Sequence, residues 1–222
     1  MGLIGAVTAV LVAIVAVVVY LASRGDGLDA AGGANALAEG GGLVVNPDAG
    51  NVPEVIVYED FQCPFCGQLE QTSGPQIVEA AQEGDIKLTY IFMSFLDGAS
   101  GNQSSSRAAN AAVCSADAGV LPDFVLEVFE DQPQEGVGYE DEAFLEAAES
   151  AGVEGEQLEQ FTTCVQEQEY QGYVQDMAER SSQDGVTSTP TITVDGEALG
   201  QQQMQQLLSD PSAFDSVLAE SQ

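Results

Sequence analysis

Histidine is absent from this 222-residue chain, and lysine and arginine together number four against 36 acids, a formal net charge of −32. A surface of that sign repels nucleic acid and anionic lipid headgroups, and no basic patch exists that could grip phosphate. DNA, RNA and anionic lipid headgroups are therefore not expected as partners. Cysteine is confined to positions 63, 66, 114 and 164, with a single CxxC pair and no second one. A zinc site needs about four Cys or His ligands, so half of it is missing. The four methionines are unclustered, which argues against a thioether copper site. No metal and no cofactor are expected, and no internal repeat is present.

What the chain does have is apolar residues, 45% of the total, enough for one domain with its own core plus an appendage. The acid excess has two readings that composition leaves open. It fits life in high salt, where screening within a few ångströms relieves self-repulsion, or an acidic composition tolerated at ordinary ionic strength.

From Leu3 to Ala22 run twenty residues without a charge. As a helix they span roughly 30 Å, the thickness of a bilayer core, with Tyr20 near one end as interfacial aromatics are. A cleaved signal peptide is the alternative, and Ala34-Asn35-Ala36 offers a small-x-small site. Signal cores run about 7–15 residues behind positive charges, and this one is longer and lacks them. A retained transmembrane anchor over 1–23 is the expectation. Arg24, just after the span, pulls the body toward the cytoplasm by the positive-inside rule; cysteine usage, below, points the other way and carries more. Residues 24–50, rich in Gly, Ala and Asp, read as a flexible linker with a reach of about 30 Å. Residues 51–222 form the folded domain.

Within that domain Val55-Ile56-Val57-Tyr58 reads as a buried strand. After the CxxC turn a helix carries Leu69, Ile77 and Val78 to about Ala81, and Gly74-Pro75 kinks or splits it. A second strand covers 87–95. Strand–helix–strand in this order implies a parallel pair with a right-handed crossover. Helical spacing then dominates through 106–118, 122–130 and 140–151, followed by Leu158, Phe161, Val165, Val174 and Met177. Thr191 to Val194 is a strand, Asp195-Gly196 a hairpin turn and 197–199 its partner. Helices over 201–208 and 212–220 close the chain.

The chemistry lies in Cys63-Pro64-Phe65-Cys66, which follows a strand and opens a helix. Unpaired N–H groups and the macrodipole at a helix start stabilise a thiolate, making the leading sulfur a nucleophile near neutral pH. Pro64 suits the first turn, where its missing N–H would go unpaired. Two intervening residues bring the sulfurs within bonding reach. Cys63 is thus expected to attack or be attacked, and Cys66 to resolve the mixed disulfide. Half a zinc site and a purely structural CxxC bond are the bland alternatives; the latter gains little from so small a loop.

Tyr58 to Cys66, the long helical segment, and Gly185 to Gly196 with Thr189-Pro190 before a strand resemble the DsbA-like branch of the thioredoxin superfamily, from about Pro53 to the C-terminus. The resemblance implies an α/β thioredoxin fold with an α-helical insert at about 100–182. It also implies a cis bond before Pro190, packed beside the cysteines, and a substrate groove lined by Thr189. Similar proteins, notably actinobacterial ones, often carry a second cysteine pair in the insert. Cys114 and Cys164 take that place, as a structural disulfide or, alternatively, an electron relay. Closing their separation would stabilise the fold by about 4 kcal/mol in the chain-entropy account. Relatives often have histidine in the dipeptide or a buried acid on the strand below it. Here the dipeptide is Pro64-Phe65 and the strand position is Val57, leaving Glu59 or Asp60 to substitute.

The expected function is oxidation of dithiols in secreted or exported proteins by a Cys63–Cys66 disulfide. The domain would stand outside the cytoplasm on a single-pass anchor in the cell membrane, as a monomer, and be reoxidised by a membrane partner that the resemblance implies. A reductase or isomerase is the alternative within the same chemistry; a non-catalytic copper(I)-binding module is the alternative outside it.

Overall fold

The computed structural model describes residues 41–221. The expected anchor over 1–23 and residues 24–40 of the expected linker lie outside the described residues. Among the described residues no helix is long and apolar enough to cross a membrane.

The sheet grows from the β-branched run. Strand β2 (Glu54–Glu59) has Val55 and Val57 fully buried, and it pairs in parallel with β3 (Lys87–Phe92), Val57 opposite Tyr90. Between them run α1 (Pro64–Thr72) and α2 (Gly74–Glu83), the helical crossover a parallel pair requires. They are two helices because Pro75 has no N–H to donate and its ring clashes with the preceding turn. Ser73 sits at the break and donates through its hydroxyl to the Leu207 carbonyl, 2.7 Å away. On the other side of β2, β4 (Thr191–Val194) runs antiparallel and turns at Asp195-Gly196 into β5 (Glu197–Ala198).

Two boundaries differ from the sequence expectation: the strand expected over 87–95 ends at Phe92, because Phe95 opens a short helix, Phe95–Ser100, and the linker ends early. The composition of 24–50 predicts a linker, yet Leu43–Val44 form β1, antiparallel to β3, and both side chains are buried. Three apolar residues, Leu43 to Val45, cover an edge of β3 that would otherwise expose unpaired backbone groups. Asn46 fastens the segment, donating to the carbonyls of Ala81 (2.8 Å) and Ile86 (2.7 Å) and accepting from the Leu88 N–H (3.0 Å). Gly42 permits the approach, because a Cβ there would overlap the Thr89 methyl. The sheet order is β1-β3-β2-β4-β5.

Between β3 and β4 lies the helical insert: α3 (Phe95–Ser100), α4 (Ser104–Asp117), α5 (Leu121–Glu130), α6 (Asp141–Ser150), α7 (Gly155–Glu167) and α8 (Gln171–Gln183). Helix α4 is its axis. Its alanines 108, 109, 111, 112 and 116 are fully buried, and such small side chains let α5, α6, α7 and α8 all pack against it. Cys114 on α4 is bonded to Cys164 on α7, with Cα atoms 6.0 Å apart. Phe61 joins the insert to the sheet, its ring 4.8 Å from Phe92 of β3 and 4.9 Å from Phe129 of α5. Helices α9 (Gln201–Leu207) and α10 (Phe214–Glu220) complete the fold. The α/β sheet with an α-helical insert is the architecture the resemblance implied.

Candidate active site

Where β2 ends, the chain turns through Asp60 to Gln62 into the start of α1. Asp60 shapes this turn. Its carbonyl accepts from the Cys63 N–H at 2.8 Å, and its carboxylate accepts from the Gln62 N–H (2.9 Å), the Ser105 hydroxyl (2.6 Å) and the Leu96 N–H (3.0 Å). Burial raises its pKa, and these hydrogen bonds oppose the rise. Gln62 extends the net to Ser105 Oγ at 2.8 Å and accepts from the Asn102 amide at 3.0 Å. The loop before the cysteines is therefore held by the helical insert as well as by the sheet.

Cys63 occupies the N-cap of α1 with extended backbone (φ −78°, ψ 118°), and Pro64 opens the helix. Cys63 is 7% exposed and Cys66 wholly buried, while Phe65 between them stands 60% exposed. Both thiols are unbonded. The two sulfurs are electrostatically unequal. The Cys63 thiol is lowered to about 6, chiefly by the hydrogen bond from the Cys66 thiol. Smaller help comes from Thr189 and from the N–H groups of Cys66 and Phe65, against the opposing effect of burial. Cys66 is pushed well above the usual thiol range, first by burial, then by its thiol's donation to Cys63 and by the nearby Glu59. One sulfur is thus favoured as a thiolate at neutral pH, and the other keeps its proton.

The third component is the loop before β4. The Thr189–Pro190 peptide bond is cis. Cys63 and the Thr189 carbonyl lie 3.4 Å apart, with the thiol donating when protonated. Cys63 and the Thr189-Pro190 loop therefore meet, with Cys66 buried behind Cys63 and Phe65 exposed beside it. Cys114 and Cys164 are bonded to each other within the insert, both buried, as a covalent tie between α4 and α7. Among the described residues no cluster of three or more Cys, Asp or Glu could hold a metal ion.

Two carboxyl groups belong to this neighbourhood. Glu59, at the end of β2, is fully buried, and so is Glu70 on α1, 1% exposed. Burial raises the pKa of both; at Glu59 the Glu70 carboxyl and then the Cys63 charge push it further. Apart from a proton shared between the two carboxyls, their oxygens meet no donor among the described residues. The hydroxyl of buried Tyr90, whose pKa burial and then these two acids raise, has no partner there either. Val57 fills its strand position as an ordinary core residue. Of the two substitutes considered for it, Glu59 is the one electrostatically coupled to both cysteines; Asp60 is committed to the turn. Glu70 was not singled out from sequence, although it follows Cys66 by four residues and so shares its helix face.

A family profile described as Thioredoxin matches residues 45–210. Among solved structures the chain is similar to the reduced form of a disulfide bond oxidoreductase, DsbG, from Mycobacterium tuberculosis. The two are 26% identical with a TM-score of 0.63 over 83% of this chain and 96% of that one. It is similar as well to reduced DsbA from Mycobacterium tuberculosis, at 26% identity and a TM-score of 0.61, covering 82% and 99% of the two chains. MdbA, a thiol-disulfide oxidoreductase from Actinomyces oris, shares the fold at 19% identity and a TM-score of 0.68, covering 82% and 89%. No curated protein sequence matches the chain.

Proposed function

The chain belongs to the thioredoxin family, as a DsbA-like protein-disulfide oxidoreductase, and from that premise we propose that it oxidises dithiols of secreted or exported proteins outside the cytoplasm. One observation carries the direction of electron flow: the Cys63 thiol, lowered to about 6, is a stable anion once released.

In the forward reaction a substrate thiolate attacks Cys63 of the Cys63–Cys66 disulfide. The bond between the two sulfurs breaks, and Cys66 leaves and takes up a proton, as its raised pKa favours. A second substrate thiolate then attacks the substrate sulfur of the mixed disulfide and expels Cys63. The substrate loses two electrons and two protons overall, and the enzyme gains two electrons. A low-pKa thiol leaves faster, and stabilising the reduced form makes the disulfide more oxidising. A thiol near 6 lies between the values of about 7 in thioredoxin and about 3.5 in DsbA. The reading is therefore an oxidant of middling strength. Thr189 and Pro190 line the groove for the extended substrate, and a membrane partner regenerates the disulfide. The anchor expected over 1–23 would hold a monomeric domain at the outer face of the cell membrane.

A redox titration of Cys63–Cys66 in glutathione buffers, with Cys63→Ser as control, tests the reading. The expected midpoint lies above about −200 mV; a value near −270 mV, that of thioredoxin, would mark a reductase instead.

A further inference from the structure

We propose that Gln132, reaching from the end of α5 in the helical insert, is a positioning residue for the redox turn: its amide donates to the carbonyls of Phe61 and Cys63 and fixes the first turn of α1 against the Cys63 sulfur. The inference rests on Cys63 being the reactive thiol.

The sequence explains why Gln132 can reach there. Pro133 follows it, and the residue before a proline is steered away from helical backbone, so α5 stops at Glu130. The Gln132 side chain is released from the helix surface and turns toward the active-site loop. Its Nε2 lies 2.8 Å from the Phe61 oxygen and 3.0 Å from the Cys63 oxygen. Two carbonyl acceptors on one nitrogen settle which end of the amide is which, since only the NH₂ end can donate.

The amide oxygen then faces α1 at Gly67, where a Cβ would overlap it. Helix interiors disfavour glycine by about 1 kcal/mol, so its presence in the second turn of α1 is accounted for by the space the Gln132 amide occupies. Other contacts tie the same two segments. Gln71 of α1 donates to the Phe129 carbonyl at 2.7 Å, and the Tyr139 hydroxyl lies 3.2 Å from the oxygens of Phe61 and Val128. Gln132 alone among these side chains touches a backbone atom of a redox cysteine.

The Cys63 carbonyl is the acceptor around which the first turn closes, taking the N–H groups of Cys66 (3.0 Å) and Gly67 (3.1 Å) as well as the Gln132 amide. Its orientation decides where the Phe65 and Cys66 N–H groups point, and both help to stabilise the Cys63 thiolate. A donor on that carbonyl also withdraws negative charge from beside the sulfur. Without it the carbonyl keeps only the turn's own N–H groups, so the turn is held less firmly and the carbonyl dipole faces the thiolate less opposed.

The test uses Gln132→Met, which keeps length and bulk without a donor, and Gly67→Ala, which displaces the amide while adding a good helix former. In the full chain, either change should reduce thiolate stabilisation at Cys63 about tenfold, seen as an upward move of the alkylation midpoint with pH. The equilibrium constant with glutathione at about pH 8 should shift toward the disulfide by the same factor, which is about 30 mV more negative. Gly67→Ala in the Gln132→Met background should add nothing further. Circular dichroism establishes that each variant is folded. A potential and an alkylation profile unchanged in both folded variants would overturn the proposal, as would fully additive effects. A parent Cys63 no more reactive than free cysteine would instead overturn the oxidoreductase reading itself, so the two failures are distinguishable.

Discussion

Glu59 and Glu70 place two carboxyl groups in the interior with no donor among the described residues beyond a proton they share, an arrangement that costs free energy once both groups ionise. Both pKa values are raised, by burial first. A raised carboxyl keeps its proton in the folded state after the unfolded chain has lost it. Its stabilising contribution is therefore complete below the ordinary carboxylate pKa of about 4.3 and is lost as pH climbs toward the folded value. Glu59→Gln removes that penalty. The variant should match the parent within about 1 kcal/mol near pH 4, then gain on it by up to about 1.4 kcal/mol per pH unit through the window. Denaturant melts at about pH 5 and about pH 8 check this, and an advantage that does not grow with pH would refute it. The placement of the cysteine pair at a helix start is legible from the strand before it and Pro64 after it, whereas the cis bond at Thr189-Pro190 is implied by the resemblance alone. Glu70 and Gln132 are not legible, since their roles depend on what lies opposite them in space. A glutamate on a polar-looking helix and a glutamine after a helix end carry no local mark of burial or reach.

At the scale of elements, periodicity located the helices of the insert to within a few residues, and the β-branched runs located β2, β3 and β4. Two elements escaped: β1, because two paired residues are too short for an alternating pattern and sit in a glycine-rich surrounding, and the six-residue α3, whose first residue, Phe95, continues the apolar run of β3. The insert itself depends on α4, whose alanines give close packing but little apolar area per residue. That makes the Cys114–Cys164 tie, spanning a sequence separation of 50, a large share of the insert's stability. Cys114→Ser with Cys164→Ser should cost about 4 kcal/mol, lowering the melting temperature by roughly 10 °C for a chain of this size. The Cys63–Cys66 midpoint should move little, since neither cysteine belongs to the redox turn. A double variant that melts with the parent would show that the tie adds nothing to the fold. A large change in the potential would revive the electron-relay reading of this pair.

Over the whole molecule the charges cannot be paired. With four basic residues against 36 acids, nearly every surface carboxylate faces others of its own sign. Among the described residues two ion pairs form, Lys87 with Glu54 at 3.3 Å and Arg107 with Asp141. Helix ends repeat the pattern. Of the seven longer helices, α1, α2 and α4 to α8, α8 alone carries a base in its last turn, Arg180, so the negative ends of the other dipoles have no cation of their own helix. Dissolved cations must do this work. Screening reaches about 10 Å at 0.1 M salt and about 3 Å at 1 M, comparable to the spacing of neighbouring carboxylates on a helix. Self-repulsion in the folded state should therefore fall steeply across that range, more than in the expanded unfolded chain, where the same charges lie further apart. The melting temperature should rise by about 5 °C or more between low and molar sodium chloride. Guanidinium, itself a salt, would mask the effect, so heat or urea is the proper probe. A flat profile would mean that the acids are spaced widely enough to ignore one another, and the high-salt reading of the composition would fall with it.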